Sequence, residues 1–212
     1  MPLALFWMAA ACALAYLPLT PRQASPLRSL VKTGSVALLA LASLAAGSPP
    51  LLAVALALCA LGDWLLSRET EATFMAGVGA FAAGHLAYVA LFLTHPASDP
   101  ARIAAQWPAL AGLALLGLVM AALLAPRAGA LKGPVLGYIP IILGMGVSAL
   151  ALPQAGPLAW VLPSAAAFIA SDLILATEKF LLPPDHLALR LTPYLVWPLY
   201  WGAQAGFAIA LT

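Results

Sequence analysis

The sequence predicts an all-α, polytopic membrane protein of eight transmembrane helices, and three observations carry that expectation. The first is composition: of 212 residues 64% are hydrophobic and only 8% charged, with mean hydropathy +1.03, where a soluble globular domain carries roughly 25% charge. The second is the division of the chain, by Pro, Gly and charge, into apolar runs near the ~20 residues that a helix needs to cross the hydrocarbon. The third is a pair of aspartates, Asp63 in GDWLL and Asp172 in SDLIL, each inside such a run and each in the same pattern of small residue, Asp, any residue, Leu or Ile, Leu. An ionisable side chain at membrane depth is costly, so its default reading is functional.

The eight runs lie near 3 to 20, 30 to 46, 50 to 67, 73 to 93, 107 to 125, 133 to 152, 157 to 177 and 191 to 211. The first has no basic residues ahead of it and therefore reads as a retained helix, not a cleaved signal peptide. AGSPPL between the second and third runs, and PQAGP between the sixth and seventh, are short enough to allow only antiparallel neighbours. The whole chain, 1–212, thus reads as a single integral membrane domain with no soluble domain left over. Cys12 and Cys59 both fall in apolar runs and match neither a disulfide framework nor a metal site. A net charge of +2 from nine scattered Lys and Arg forms no basic patch, which excludes nucleic acid as a partner class.

Charge also orients the chain. Arg22, Arg28, Lys32, Arg68, Arg127, Lys132, Lys179 and Arg190 belong to one side, and Arg102 alone to the other. The positive-inside rule places the first group in the cytoplasm and both termini outside. With Asp63 on the third helix and Asp172 on the seventh, the runs divide into two four-helix halves. Four being even, the halves would run in the same direction about an axis along the membrane normal. Phe81, His85 and Tyr88 share their spacing with Tyr200, Gln204 and Phe207 on the last helix of the other half.

Depth follows from 1.5 Å per residue. Asp63 is five residues before Arg68 and Asp172 six before Glu178, so both belong roughly 8 to 9 Å inside the cytoplasmic face. Tyr138 reaches a similar level, with Lys32 near the rim, while His85 and Gln204 come out at roughly 18 to 21 Å. Phe74, Phe81, His85, Tyr88 and Phe92 share one side of the fourth helix, and Tyr194, Trp197 and Trp201 share one face of the eighth. The expected site is a pocket open to the cytoplasm, with carboxylates near the mouth and an aromatic wall below, suited to a single-chain amphiphile. Plainer roles compete: Lys32 snorkelling to headgroups, Tyr194 in an interfacial belt, His85 bonding a neighbouring helix, and an Asp paired with Lys32 for stability alone.

In GDWLL, FAAGHLAYVALF, SDLILATEKF and YLVWPLYWGAQAGFAIA, in their order and spacing, the chain resembles the YhhN-like lysoplasmalogenase family of multi-helix membrane proteins. The resemblance runs from the second helix to the end. It implies a hydrolase that cleaves the vinyl ether bond of lysoplasmalogens to a fatty aldehyde and a glycerophospho-ethanolamine or -choline, with no cofactor. By motif match it implies that Asp63 and Asp172 are the catalytic pair. One departure stands beside it: the family often has Pro after the Lys of its second helix, whereas Lys32 here precedes Thr33.

The chemistry suits two carboxyl groups. Hydrolysis begins with protonation of the alkene carbon to an oxocarbenium ion; water then adds and the hemiacetal collapses. One carboxyl acts as acid while the other steadies the cation and activates water, the division of labour found in glycoside hydrolysis. Either Asp fits either role, and Lys32, His85, Tyr138, Tyr200 and Gln204 are the candidates for substrate contact. Two other classes use membrane aspartates. Intramembrane aspartyl proteases carry GxGD, met here only in part by ALGD, with the second Asp 109 residues away instead of on a neighbouring helix. A proton-coupled transporter would use repeated halves and membrane carboxylates, but near the midplane and beside broken helices, for which Pro140 and Pro163 are the candidates.

Overall fold

The computed structural model describes residues 1–68 and 70–212, and within them every regular element is helical. In chain order they are α1 (Leu3–Tyr16), α2 (Pro26–Ala45), α3 (Pro50–Leu66), α4 (Glu71–Thr94), a short α5 (Pro100–Ala105), α6 (Trp107–Leu124), α7 (Lys132–Ala149), α8 (Val161–Phe180) and α9 (Pro193–Leu211), with 3-10 turns before α7, α8 and α9 and after α1. A helix of 14 residues or more thus stands at each of the eight expected places. Five are long and apolar enough to cross a membrane: α2, α4, α6, and α7 and α8 with their leading turns. Leu3–Leu19 and Pro50–Leu66 are apolar but shorter, and α9 is diluted by its aromatic residues and Gln204.

Local chemistry sets the boundaries. Pro18 converts the end of the first run to a 3-10 turn at Leu17–Leu19, because its ring cannot continue the α-helical ladder. α2 starts earlier than the apolar pattern predicts: Ser25 accepts a hydrogen bond from the Arg28 amide at 3.2 Å, and Pro26 takes the first helical position. Thr70 and Thr73 form a reciprocal capping box that opens α4. Neither candidate proline breaks a helix. α7 runs through Pro140, and Pro163 sits in the first turn of α8, where its missing N–H costs nothing.

Consecutive helices pack as two runs, α1–α2–α3–α4 and α6–α7–α8–α9, which meet where α4 lies on α7 and where α9 lies on α2 and α3. The most extensive contacts are α3 on α4 and α8 on α9. Lipid tails are as apolar as Leu, so membrane helices associate through close packing at small residues. That is the pattern here: a Cβ on Gly84 would stand 2.9 Å from Cys59 Sγ and one on Gly62 2.6 Å from the Phe81 ring, while one on Gly206 would overlap Ser164 Oγ. Outward faces are apolar as well. α6 buries only Gly117, Met120 and Leu124 and leaves Leu115 and Leu118 exposed. The C-terminal Thr212 lies against the α2–α3 loop, its hydroxyl 3.1 Å from that of Ser48.

Candidate active site

α2 carries Lys32 one helical turn beyond Arg28, on the same face. α3 carries Asp63 in its last turn, and α9 carries Tyr200 across from it. Lys32 Nζ lies 2.9 Å from Asp63 Oδ1, and the Tyr200 hydroxyl donates to Oδ2 at 2.7 Å. Both oxygens are engaged, and the Asp63 side chain is 1% exposed. Tyr200 is held edge-on by Phe81 and Phe168 at centroid distances of 5.7 and 5.2 Å. Trp197, one turn earlier, donates from Nε1 to the Ala13 carbonyl at 3.0 Å and packs on Tyr16. This corner is therefore braced by α1, α2, α3, α4, α8 and α9 together.

Asp172 forms the second corner with residues from α4 and α7. The Tyr138 hydroxyl donates to Asp172 Oδ2 at 2.5 Å, and His85 Nε2 is 2.8 Å from that hydroxyl and 3.7 Å from Oδ2. If Tyr138 gives its one proton to Asp172, His85 must donate to Tyr138, which makes a chain His85 to Tyr138 to Asp172. Ser171 Oγ approaches Oδ1 at 3.3 Å but makes its shorter bond, 2.8 Å, to the Phe168 carbonyl. The Asp172 side chain remains 19% exposed. Phe168 stands between the corners, 4.5 Å from the His85 ring and 5.2 Å from the Tyr200 ring.

Both carboxylates line one cavity of about 350 Å³, together with Lys32, Tyr138 and Tyr200. The other candidate residues stand off its wall. His85 is fully buried behind Tyr138, and Gln204 is fully buried in a separate pair, accepting from the Tyr88 hydroxyl at 2.5 Å. The expected aromatic wall is corrected in the same way. Phe74 and Phe81 line the cavity, but Tyr88 and Phe92 are packed solid against Phe207 at 4.5 and 5.4 Å. Aliphatic residues of α6 and α7, among them Met120, Ile139 and Leu143, form the apolar wall instead.

The depth expected for His85 is likewise revised, since it shares the Asp172 layer. Side chains lean toward the N-terminus of their helix. α4 and α8 run in opposite directions, so His85 and Asp172 lean toward each other, and counting backbone rise alone separates them. Among the described residues no group of three or more His, Cys, Asp or Glu is arranged to hold a metal ion.

Sequence pattern missed Arg28, which lines the cavity with Lys32 and Thr20. Its signal was present in the four-residue spacing to Lys32, hidden by a polar helix start that reads as loop. Comparison with curated proteins and with solved structures gives no match. A family model matches residues 27–211, almost the whole bundle and both carboxylate corners, and the chain belongs to the YhhN family.

Proposed function

We propose that the protein is a membrane hydrolase that cleaves the vinyl ether bond of lysoplasmalogens, releasing a fatty aldehyde and a glycerophospho-alcohol. The family supports this reading, and one observation carries it to the residues: two aspartates on one cavity wall, one ion-paired with Lys32 and the other hydrogen-bonded by Tyr138. Asp63 has its counter-charge in Lys32, so its part is that of the carboxylate. Asp172, hydrogen-bonded by neutral Tyr138 and the more exposed of the two, is the proton donor.

The steps balance over these two groups. Asp172 protonates the alkene carbon remote from the ether oxygen, and the oxocarbenium ion forms beside Asp63. Water attacks the cationic carbon as Asp63 takes its proton. The hemiacetal then collapses: Asp63 returns that proton to the leaving glycerol oxygen while Asp172 takes the hemiacetal hydroxyl proton, leaving both groups as they began. Acid and base contributions of this kind are worth about 10² to 10⁴ each. A cavity of about 350 Å³ is near the lower end for ligand sites. It accommodates the glycerol and first tail carbons, with the rest of one chain lying along α6 in the bilayer.

The same proposal places eight helices across the membrane, both termini outside and the site toward the cytoplasm, as the Lys and Arg asymmetry requires. It also takes the bundle as two parallel halves. In support, the α3–α4 contact is answered by α8–α9, α4–α7 by α9–α2, and the Lys32–Asp63 pair by Tyr138–Asp172. A reporter fused after Thr212 checks the orientation: external signal is expected, and a cytoplasmic one overturns it. For activity, purified protein in detergent should release aldehyde from a lysoplasmalogen. A proton-coupled transporter using the same aspartates would do nothing without a sealed membrane, and the unbroken α7 and α8 remove one reason to favour it.

A further inference from the structure

Arg28 is a cation of this cavity to which the reaction above gives no task. It is half-buried, and among the described residues no carboxylate lies within ion-pair distance of it. One Nη donates to the Thr20 carbonyl at 3.2 Å and the guanidinium stands 5.9 Å from the Tyr16 ring centroid. These contacts hold the group in place and leave Nε buried with no partner. Thr20, Tyr16 and Arg28 all line the cavity that holds Asp63 and Asp172, with Glu178 and Lys179 on the α8 side of the same mouth.

Spacing gives this cation a ligand. Lys32 is committed to Asp63. Arg28 lies four residues nearer the mouth on the same helix face, about 6 Å along the axis. In a 1-alkenyl glycerophospholipid the alkene carbon that takes the proton and the phosphorus are seven bonds apart, and at the reach of an extended chain that is about 8 Å. A substrate with its vinyl ether between the carboxylates therefore brings its phosphate to the guanidinium, whose planar fork of donors suits phosphate oxygens.

We propose that Arg28 binds the phosphodiester of a glycerophospholipid headgroup and so selects phospholipid over neutral alkenyl glycerol. This rests on the lysoplasmalogenase reading for the identity of the reacting bond, and the phosphate contact is testable apart from it. The substitutions are Arg28→Gln, which retains a donor for the Thr20 carbonyl, and Arg28→Lys, which retains the charge. On a lysoplasmenyl-ethanolamine, Arg28→Gln should raise KM at least about tenfold and leave kcat within about threefold, with Arg28→Lys intermediate. On 1-alkenylglycerol, which has no phosphate, wild type and both variants should be alike.

Direct binding of an alkyl-ether lysophospholipid, which has no vinyl ether to cleave, is measured alongside. Arg28→Gln should weaken it at least about tenfold. If that loss is seen but wild type releases no aldehyde from any vinyl ether, the headgroup site stands and the reaction fails. Equal losses on phospholipid and neutral glycerol substrates, or no change in binding, overturn the role of Arg28. Competition by inorganic phosphate as strong as that by the lysolipid would identify a free phosphate anion as the ligand and overturn the headgroup assignment.

Discussion

At Asp63 both carboxylate oxygens are taken, one by the Lys32 ammonium and one by Tyr200, and almost none of the side chain is exposed. At Asp172 the short bond comes from the neutral Tyr138, with His85 behind it, and the side chain reaches the cavity. The two sit in the same five-residue pattern, on helices that occupy corresponding places in the chain. The difference comes from what faces them, a lysine on α2 against a tyrosine on α7. A repeated motif thus brings two like carboxylates to one cavity, and in the reaction we propose it is their unlike partners that divide the labour of acid and base between them.

The largest effect expected from breaking this contrast is at Asp63. Asp63→Asn leaves Lys32 without its counter-charge, and removing one member of a buried pair costs about 3 to 5 kcal/mol. The variant should lose both thermal stability in detergent and aldehyde release. Adding Lys32→Gln to it should restore most of the stability and none of the turnover. Recovery of turnover in the double variant would assign Asp63 to structure alone.

Asp172→Asn should behave differently. Asn still offers Tyr138 an acceptor, so unfolding temperature should stay near wild type while turnover falls at least about a hundredfold. A variant that unfolds as readily as Asp63→Asn would erase the distinction between the corners.

The tyrosines sharpen the comparison at smaller scale. Tyr200→Phe removes the donor to Asp63 Oδ2 in a corner that is almost fully buried, at about 1 to 3 kcal/mol of stability. Tyr138→Phe faces a corner that water can enter and should cost less. In turnover the order reverses: Tyr138→Phe interrupts the chain from His85 and should slow the reaction about tenfold, the equivalent of ~1.4 kcal/mol in the barrier. Thermal scans and initial rates on the two purified proteins read both orders.

The helices were largely legible in the sequence because hydropathy and Pro mark them directly. α3 and α9 fall within two residues of the expected limits. Where chemistry other than hydropathy sets a boundary, the pattern misled: Ser25 and Pro26 begin α2 four residues early and bring Arg28 onto the Lys32 face. Asp63, Asp172, Lys32, Tyr138 and Tyr200 could be named from charge and polarity inside apolar runs, and the structure gathers them on one cavity. Which tyrosine serves which aspartate was not legible, since Asp63 and Tyr200 lie 137 positions apart and meet only through the packing of α9 on α3. Nor was the place of His85, because axial rise omits the lean of side chains on antiparallel helices.

Proton delivery to carbon is the centre of the account, and it is read most directly from lysoplasmalogen turnover in heavy water, with the aldehyde trapped by reduction as it forms. A carboxylic acid at Asp172 that protonates the alkene predicts a slower reaction and one deuterium on the carbon next to the former aldehyde. Aldehyde without deuterium there, or equal rates on the vinyl ether and an ester-linked lysolipid, would contradict it.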